Sequence, residues 1–301
     1  YYPDDGDDMK MLLKNADIAM YRSKTLGRGH YEIFTTELSN QIKNAVKLEI
    51  RLKKAIQRDE FFMHYQPIFD IQDNRIVGFE ALMRWNYRGN ILYPDSFLAA
   101  LEESQMIVEA SYGLFYSTFA SIKKLNDRFQ TSFFISINIS PVQFGVENFH
   151  DTLFEAIEKS GLDPKLICLE VTETIFLQEI DVVSQKLARL QAYGCTIALD
   201  DFGTGYSSLK YLKTLPVNKL KLDKSFSQEL PHSKNDIAIT QSVLFLGRSF
   251  NLDVIVEGVE TEEQCDYLRH NGCHYIQGYL ISKPISEEKV IELLENNEMY
   301  R

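Results

Sequence analysis

From residue 58 onward, short apolar runs alternate with segments whose apolar positions recur at helical spacing. Eight runs have the length and composition of β-strands: Phe61–Phe69, Arg75–Arg84, Phe133–Asn138, Leu166–Val171, Cys195–Asp200, Lys219–Asp223, Asp253–Glu257 and Tyr275–Tyr279. Helical stretches separate the later runs, including Asn148–Ser160, Asp181–Tyr193, Asp236–Phe250, Glu262–Asn271 and Ser286–Asn296. This alternation is typical of a parallel sheet covered by helices, and eight strands indicate closure. We predict an α/β fold, a TIM-like (β/α)8 barrel.

The first two runs are connected differently from the rest. Only the polar stretch 70–74, Asp-Ile-Gln-Asp-Asn, separates them, and this is too short for a crossover helix. A connection of this length joins antiparallel neighbours in a hairpin. The first strand of the barrel should therefore run antiparallel to the others.

The first 57 residues follow another pattern. Asp7–Lys24 is predicted to be an amphipathic helix, Tyr31–Phe34 is strand-like, and Leu38–Gln57 is predicted to be a charged helix. One helix and one strand cannot build a core alone. We expect the second helix to be a connector that is able to self-associate.

Composition narrows the class of protein. A hydrophobic content of 45% with 12% aromatic residues is that of a folded chain, and the net charge of −11 argues against broad binding to nucleic acid polymers or anionic membranes. A small anionic ligand remains compatible, because salt screens exposed charge beyond about 8 Å. No apolar stretch reaches about 20 residues, so no transmembrane helix or membrane contact is expected of this segment. The chain begins without Met, and we expect a longer parent protein, which upstream segments could tether to a membrane.

The four cysteines, Cys168, Cys195, Cys265 and Cys273, lie in apolar runs or in a predicted helix. Their spacing indicates no disulfide framework, which favours a cytoplasmic location. Cys265, Cys273 and His274 fit no established zinc pattern, so core packing is the expected role of these thiols.

Five carboxylates occur where they should be unfavourable, inside or at the end of apolar runs. They are Glu80, Glu170, Asp200, Asp201 and Glu257. An ionised carboxylate removed from water costs several kcal/mol, and clustered acids repel one another. Because the carboxyl ends of barrel strands meet at one rim, these acids should converge there, and a divalent-metal site is the leading explanation.

Other polar strand ends extend this group. Asn138, Lys221 and Gln277 also fall at or near the carboxyl ends of predicted strands. Carboxylate and amide oxygens are the ligands that Mg²⁺ and Mn²⁺ prefer, and adjacent aspartates suit two ions about 3.5–4 Å apart. Such a pair of ions serves in-line attack on a phosphodiester, with Lys221 adding a fixed positive charge or a donor to the attacking water.

Simpler interpretations exist for each residue alone. Glu80 could pair with Arg84, residues 200–208 could form a turn that caps the next helix, and Asn138 and Gln277 could be ordinary polar strand ends. A two-carboxylate glycosidase on the same barrel is another reading. Asn138, Lys221 and the adjacent aspartates exceed what that chemistry needs.

The same residues carry a family resemblance. The matching stretches are 64–67 (His-Tyr-Gln-Pro), 80–85 (Glu-Ala-Leu-Met-Arg-Trp), 138–140 (Asn-Ile-Ser), 169–174 (Leu-Glu-Val-Thr-Glu-Thr), 200–206 (Asp-Asp-Phe-Gly-Thr-Gly-Tyr), 221–223 (Lys-Leu-Asp), 257–260 (Glu-Gly-Val-Glu) and 277–279 (Gln-Gly-Tyr). In this order and spacing the chain resembles the EAL domain, the bacterial phosphodiesterase module that opens cyclic di-GMP. Residues 1–37 resemble the closing segment of a GGDEF domain, the module that synthesises cyclic di-GMP. The resemblances imply three parts: 1–37, a helical linker 38–57, and the barrel 58–301.

The EAL resemblance also implies roles for individual residues. Glu80, Asn138, Glu170 and Asp200 would hold one Mg²⁺ or Mn²⁺ ion, and Asp200, Asp201 and Glu257 would hold or organise a second. Lys221 would assist the attacking water, with Glu260 and Gln277 supporting the site by hydrogen bonds. Gln66, Leu82, Arg84 and Asp223 would contact the dinucleotide, and Glu173 would anchor the loop Asp201–Ser208 that links dimerisation to activity.

The resulting functional hypothesis is hydrolysis of one phosphodiester of cyclic di-GMP to linear pGpG by a homodimer. The alternative is a binding module that senses cyclic di-GMP without turning it over. A sensor is expected to have lost a metal ligand or Lys221, and all of these residues are present.

Overall fold

The structure, a computed structural model, describes residues 2–25, 31–177, 180–203, 212 and 214–296. Nine strands lie in these ranges: β1 Phe61–Asp70, β2 Arg75–Tyr87, β3 Asn90–Leu92, β4 Phe134–Asn138, β5 Ile167–Thr172, β6 Thr196–Phe202, β7 Lys219–Leu222, β8 Asp253–Val256 and β9 Tyr275–Ile276. The described α-helices are α1 Met9–Thr25, α2 Thr36–Gln57, α3 Leu98–Glu103, α4 Ile107–Phe129, α5 Pro141–Gly145, α6 Phe149–Ser160, α7 Ile180–Tyr193, α8 Lys234–Phe250, α9 Glu262–His270 and α10 Glu287–Asn296.

Eight of the strands close into a barrel. The hydrogen-bonded order runs β1-β9-β8-β7-β6-β5-β4-β2, and the β1–β2 hairpin completes the ring, with β3 added outside it on β2. β1 is antiparallel to both of its neighbours, whereas β2 and β4 to β9 form parallel pairs. The predicted barrel with one antiparallel strand is therefore confirmed. Its upper end is defined as the carboxyl ends of the parallel strands, and its lower end as their amino ends.

Local sequence signals set the helix boundaries. α9 begins after Thr261, whose hydroxyl accepts from the backbone N–H of Gln264 at 3.2 Å, while the Gln264 side chain accepts from the Thr261 N–H at 2.9 Å. α8 begins after Ser233, whose hydroxyl accepts from the backbone N–H of Asp236 at 3.3 Å. α6 ends before Gly161, whose φ of 69° is the left-handed conformation that glycine adopts without strain. Short polar caps therefore position these helices around the barrel.

The main core fills the barrel wall and the space between the strands and their helices. Phe79 of β2 and Phe119 of α4 are fully buried in it, as is Leu187 of α7. All four cysteines are buried as free thiols, which confirms their predicted packing role. Burial raises the pKa of Cys195 and of Cys273 to about 12, so these thiols remain protonated.

The region before the barrel departs from prediction in two ways. The expected strand at Tyr31–Phe34 is wrong: residues 31–35 have no strand assignment, because no neighbouring described strand supplies a hydrogen-bonded ladder. The connector helix α2 is also more than a connector. Leu52 and Ala55 in its last turns are completely buried, in a cluster that includes Trp85 and Phe97. The end of α2 is therefore packed on the barrel.

None of the helices within the described ranges is long and apolar enough to cross a membrane.

Candidate active site

Four acids reach the upper end of the barrel from different strands. Glu80 lies on β2, Glu170 on β5 and Asp200 on β6, and Glu257 directly follows β8. In the parallel register, Asn138 of β4 faces Glu170, and Thr172 faces Asp200 one strand further on. Glu80, Glu170 and Asp200 are at most 9% exposed. Barrel closure therefore gathers side chains that are far apart in the sequence.

Lys221 of β7 lies at the centre of these acids. Its Nζ is 2.7 Å from Glu257 Oε1, 2.8 Å from Glu170 Oε2, 3.2 Å from Glu80 Oε2 and 3.5 Å from Asp200 Oδ1. The residue is 1% exposed. One buried ammonium is therefore shared by four carboxylates from four positions around the barrel.

Amide side chains hold Glu80 in place. Asn138 Nδ2 donates to Glu80 Oε1 at 2.6 Å, and Gln277 Nε2 donates to Glu80 Oε2 at 2.6 Å and to Gln66 Oε1 at 3.0 Å. Gln66 Nε2 donates in turn to the Ser282 carbonyl at 3.2 Å. Both carboxylate oxygens of Glu80 thus have donors, and the antiparallel strand β1 is tied into the site through Gln66.

The pKa values of the acids in this cluster are shifted in different directions. Burial by itself would raise the pKa of Glu80, but Lys221 and the amides of Gln277 and Asn138 outweigh it and hold this pKa below its ordinary value. Burial and the nearby Glu80 charge raise the pKa of Glu170 well above its usual range. Burial also raises the pKa of Glu257 to about 7, against the opposing effect of Lys221. Desolvation disfavours the Lys221 ammonium, yet the four acids raise its pKa well above normal, so it stays charged.

The donor set fits a divalent cation by its chemistry. Four carboxylates face a single ammonium, and Glu170 Oε1 is buried without a hydrogen-bond partner among the described residues. Oxygen ligands with excess negative charge suit Mg²⁺ and Mn²⁺. No group of three acids, histidines or cysteines in the described part of the chain is arranged as an ion's ligands, because the acids here converge on the ammonium. The ligand roles of Glu80, Asn138, Glu170, Asp200, Asp201 and Glu257 stay predictions.

The comparisons with known proteins agree with this arrangement. A family model for the EAL domain matches residues 49–284. The chain belongs to the EAL domain family. The match begins within α2, consistent with the packing of that helix against the barrel. Among solved structures, PaMucR phosphodiesterase in complex with c-di-GMP is similar, with a TM-score of 0.77 and 35% identity over 81% of this chain and 99% of that one.

Two curated relatives come from Pseudomonas aeruginosa. The bifunctional diguanylate cyclase/cyclic di-GMP phosphodiesterase MucR is 35% identical over 291 residues, covering 96% of this chain and 42% of the relative. The cyclic di-GMP phosphodiesterase NbdA is 34% identical over 294 residues, covering 97% of this chain and 38% of the relative. The chain thus spans about two-fifths of the length of these relatives. The matches support the EAL resemblance, while the origin of residues 1–37 in a GGDEF domain stays a prediction.

The remaining predicted residues of the EAL site lie at its margin. Asp201 is exposed with a φ of 54°, and partial desolvation of its carboxyl, with repulsion from Asp200, raises its pKa. Asp223 Oδ1 accepts from the backbone N–H of Ser225 at 3.0 Å, so it caps the short helical turn after β7. Glu260 is exposed, and the hydrogen bond it makes among the described residues is from its backbone to Gln264. The structure does not bring Glu260 into the cluster around Lys221.

Glu173 lies just beyond β5, outside the acid cluster. Its Oε1 accepts from the backbone N–H of Gly203 at 3.3 Å, which ties the end of β5 to the end of β6. Gly203 has a φ of 98°, a conformation that favours glycine. This contact lies where the predicted anchor was expected. The rest of the loop, 204–208, lies outside the described residues, as does the suggested helix cap there.

Arg84 does not pair with Glu80, so that alternative is wrong: Glu80 is engaged by Lys221 and the two amides instead. Arg84 Nη1 donates to the Met83 carbonyl at 2.8 Å, and its guanidinium lies 4.9 Å from the ring centroid of Tyr93. Tyr93 is not among the residues predicted for the site. The signal was the hairpin turn at Arg88-Gly89, which returns the chain alongside the end of β2.

Proposed function

We propose that this EAL domain hydrolyses one phosphodiester bond of cyclic di-GMP, releasing linear pGpG, with two Mg²⁺ or Mn²⁺ ions at the upper end of the barrel. The observation that carries the proposal is the convergence of Glu80, Glu170, Asp200 and Glu257 within 3.5 Å of the buried Lys221 ammonium. The relatives MucR and NbdA, which are similar along nearly the whole of this chain, are cyclic di-GMP phosphodiesterases, and we infer the substrate from them.

In this proposal some residues of the site provide charge, and others hold those residues in position. Glu80, Asn138, Glu170, Asp200, Asp201 and Glu257 supply the oxygens that would hold the ions. When bound, the ions would activate water and neutralise charge developing on the phosphate. Lys221 provides a fixed positive charge that a flexible surface lysine could not, since its Nζ is held on several sides. Gln277 and Asn138 fix the orientation of Glu80.

Substrate contacts are proposed along the inner face of β2 and β1. Successive residues of a strand point to opposite faces, so Glu80, Leu82 and Arg84 share one face, and Gln66 lies opposite Glu80 on β1. A row that begins with a metal-binding acid and ends with a guanidinium suits a phosphate whose other contacts are further from the metals. Asp223 is a further proposed contact beyond β7.

The competing function is a receptor that binds cyclic di-GMP without cleaving it. The completeness of the cluster argues against it, because each proposed ligand and Lys221 is present. As a further part of the proposal, the enzyme acts as a homodimer, with Glu173 transmitting association to the site through Gly203.

The test is incubation of the purified chain with cyclic di-GMP and Mg²⁺ or Mn²⁺, with chromatographic detection of linear product. We expect turnover that EDTA abolishes and that falls by several orders of magnitude in Glu80→Ala and Asp200→Asn. Asp253→Asn, an acid at the lower end of the barrel, is the matched control and should retain activity. Binding without product in the wild type would identify a receptor, and activity in excess EDTA would refute the two-metal mechanism.

A further inference from the structure

Tyr93 occupies a special place beside the site although its side chain is 61% exposed. Arg88 and Gly89, with φ values of 55° and 83°, form the two-residue turn between β2 and β3. The ladder then pairs Trp85 with Leu92. One step further along the same register places Tyr93 opposite Arg84. The pairing of β2 with β3 therefore places the Tyr93 ring next to Arg84.

The backbone of Tyr93 is fixed even though its ring is exposed. Its carbonyl accepts from the Ser96 N–H at 3.0 Å and from the Ser96 hydroxyl at 2.7 Å, and Pro94 follows it at the start of a short helical turn. On its other side, Leu92 is held in the ladder by Trp85, which is 1% exposed. The hydrogen bonds and the ladder therefore fix the point from which the Tyr93 side chain extends towards Arg84.

Arg84 needs such a neighbour. It is 3% exposed, and its Nε has no hydrogen-bond partner among the described residues. The hydrogen bond that it does make goes to the carbonyl of the adjacent Met83, and no carboxylate pairs with it in the described part of the chain. The Tyr93 ring, whose centroid lies 4.9 Å from the guanidinium carbon, is therefore the side chain that holds the guanidinium in addition to the Met83 carbonyl.

We propose that Tyr93 is a positioning residue for substrate binding: its ring holds the Arg84 guanidinium at the place where it receives an anionic oxygen of the dinucleotide. This inference rests on the proposed function, because it takes cyclic di-GMP as the ligand of Arg84. Fixing a planar donor before the ligand arrives strengthens binding, since less side-chain freedom is lost on association. The acids around Lys221 are untouched by this contact, so the effect falls on affinity and not on the chemical step.

The experiment measures KM and kcat for cyclic di-GMP in wild type, Tyr93→Leu, Tyr93→Phe and Arg84→Ala, and in the Tyr93→Leu/Arg84→Ala double variant. We expect Tyr93→Leu to raise KM by about three- to tenfold with kcat within twofold. Tyr93→Phe keeps the ring and should restore the wild-type KM. Tyr112→Leu, which removes a 52% exposed tyrosine on α4, is the matched control for loss of a surface ring.

The double variant separates positioning from direct contact. If Tyr93 acts through Arg84, removing the ring from Arg84→Ala should have no further effect on KM. An additional loss in the double variant, or an unchanged KM in Tyr93→Leu, would overturn the inference. If the wild type binds without turnover, the dissociation constant replaces KM and the same comparison holds. Absence of both binding and turnover in the wild type would instead refute the proposed function, and with it the ligand assumed here.

Discussion

Lys219 and Lys221 stand two residues apart on β7, on the same face of the strand, and yet the two ends of the barrel treat them differently. At the lower end, Lys219 Nζ is 2.9 Å from Asp253 and lies 4.8 Å from the Phe134 ring centroid and 5.6 Å from that of Tyr275. At the upper end, Lys221 is surrounded by four acids. The charge of Lys219 is therefore balanced by one carboxylate, whereas Lys221 faces an excess of negative charge.

The difference between the two lysines distinguishes an ion pair with a structural role from a charged cluster with a functional one. A single ion pair framed by aromatic rings is complete without a ligand, and Asp253, at 49% side-chain exposure, is still hydrated. In the upper cluster one ammonium offsets four acids, and the pKa values of Glu170 and Glu257 are raised. Clusters of acids with shifted pKa values are typical of binding and catalytic sites. The lower end of such a barrel usually contributes to stability, and the upper end to chemistry.

Hydrolysis should be the property that the two lysines affect most differently. Lys221→Ala should lower kcat by about two to four orders of magnitude, because a fixed charge acting on the attacking water is lost. Lys219→Ala should stay within a few-fold of wild type, since that residue lies at the other end of the strand. Steady-state kinetics on both variants, beside a calorimetric titration with a non-hydrolysable substrate analogue, makes the comparison. Equal losses in affinity and rate for Lys221→Ala would show a substrate-phosphate contact instead.

The next effect concerns stability without metal. Lys221→Met should lower the free energy of unfolding of the EDTA-treated protein by about 3–5 kcal/mol, because the buried acids lose their counter-charge. Lys219→Met should lose only about 1 kcal/mol, as its half-exposed partner can be hydrated. Urea denaturation measures both, and added Mn²⁺ should recover part of the Lys221→Met loss. Losses of the same size, or no recovery with Mn²⁺, would contradict the view that only the upper end needs a cation.

A smaller effect is expected at the margin of the upper end. Glu173→Ala should fold normally but lose about fivefold in activity, since one hydrogen bond to the Gly203 N–H contributes about 1 kcal/mol. Metal titrations should show weaker binding at the ion near Asp201, and the increase of activity with protein concentration should weaken.

The control for that variant is Glu292→Ala, an exposed acid on α10. Unchanged activity and metal affinity in Glu173→Ala would mean that this acid is merely hydrated beyond the strand end.

The smallest effect should come from outside both ends of the barrel. Deleting residues 1–37 should leave a soluble barrel with a melting temperature within a few degrees of wild type, because that segment lacks a core of its own. Deleting residues 1–57 is the contrasting variant, as it also removes Leu52 and Ala55 from their buried cluster. Differential scanning calorimetry compares them. Early melting or aggregation of the shorter deletion would show that the segment stabilises the barrel.

The local pattern of apolar and polar residues was sufficient to predict the barrel strands and the acids that are candidates for the site. The runs at Phe61–Phe69 and Arg75–Arg84 differ from β1 and β2 by at most three residues at an end, because alternation and turn chemistry act between near neighbours. The acids at strand ends were visible for the same reason, since a carboxylate such as Glu170 in an apolar run is locally anomalous. The short segment at Tyr31–Phe34 failed because a strand needs a partner that its own sequence does not contain.

Barrel closure decided what these residues do to one another. Glu170 and Glu80 are 51 and 141 residues from the lysine that contacts both, and no local rule gives the distance between them. The pairing of Arg84 with Tyr93 and the packing of Leu52 against the barrel depend likewise on register and on docking. Short-range periodicity is enough to place these side chains at the ends of their strands. Which of them share a counter-charge depends on the long-range contacts that close the ring, and no short stretch of the chain contains those contacts.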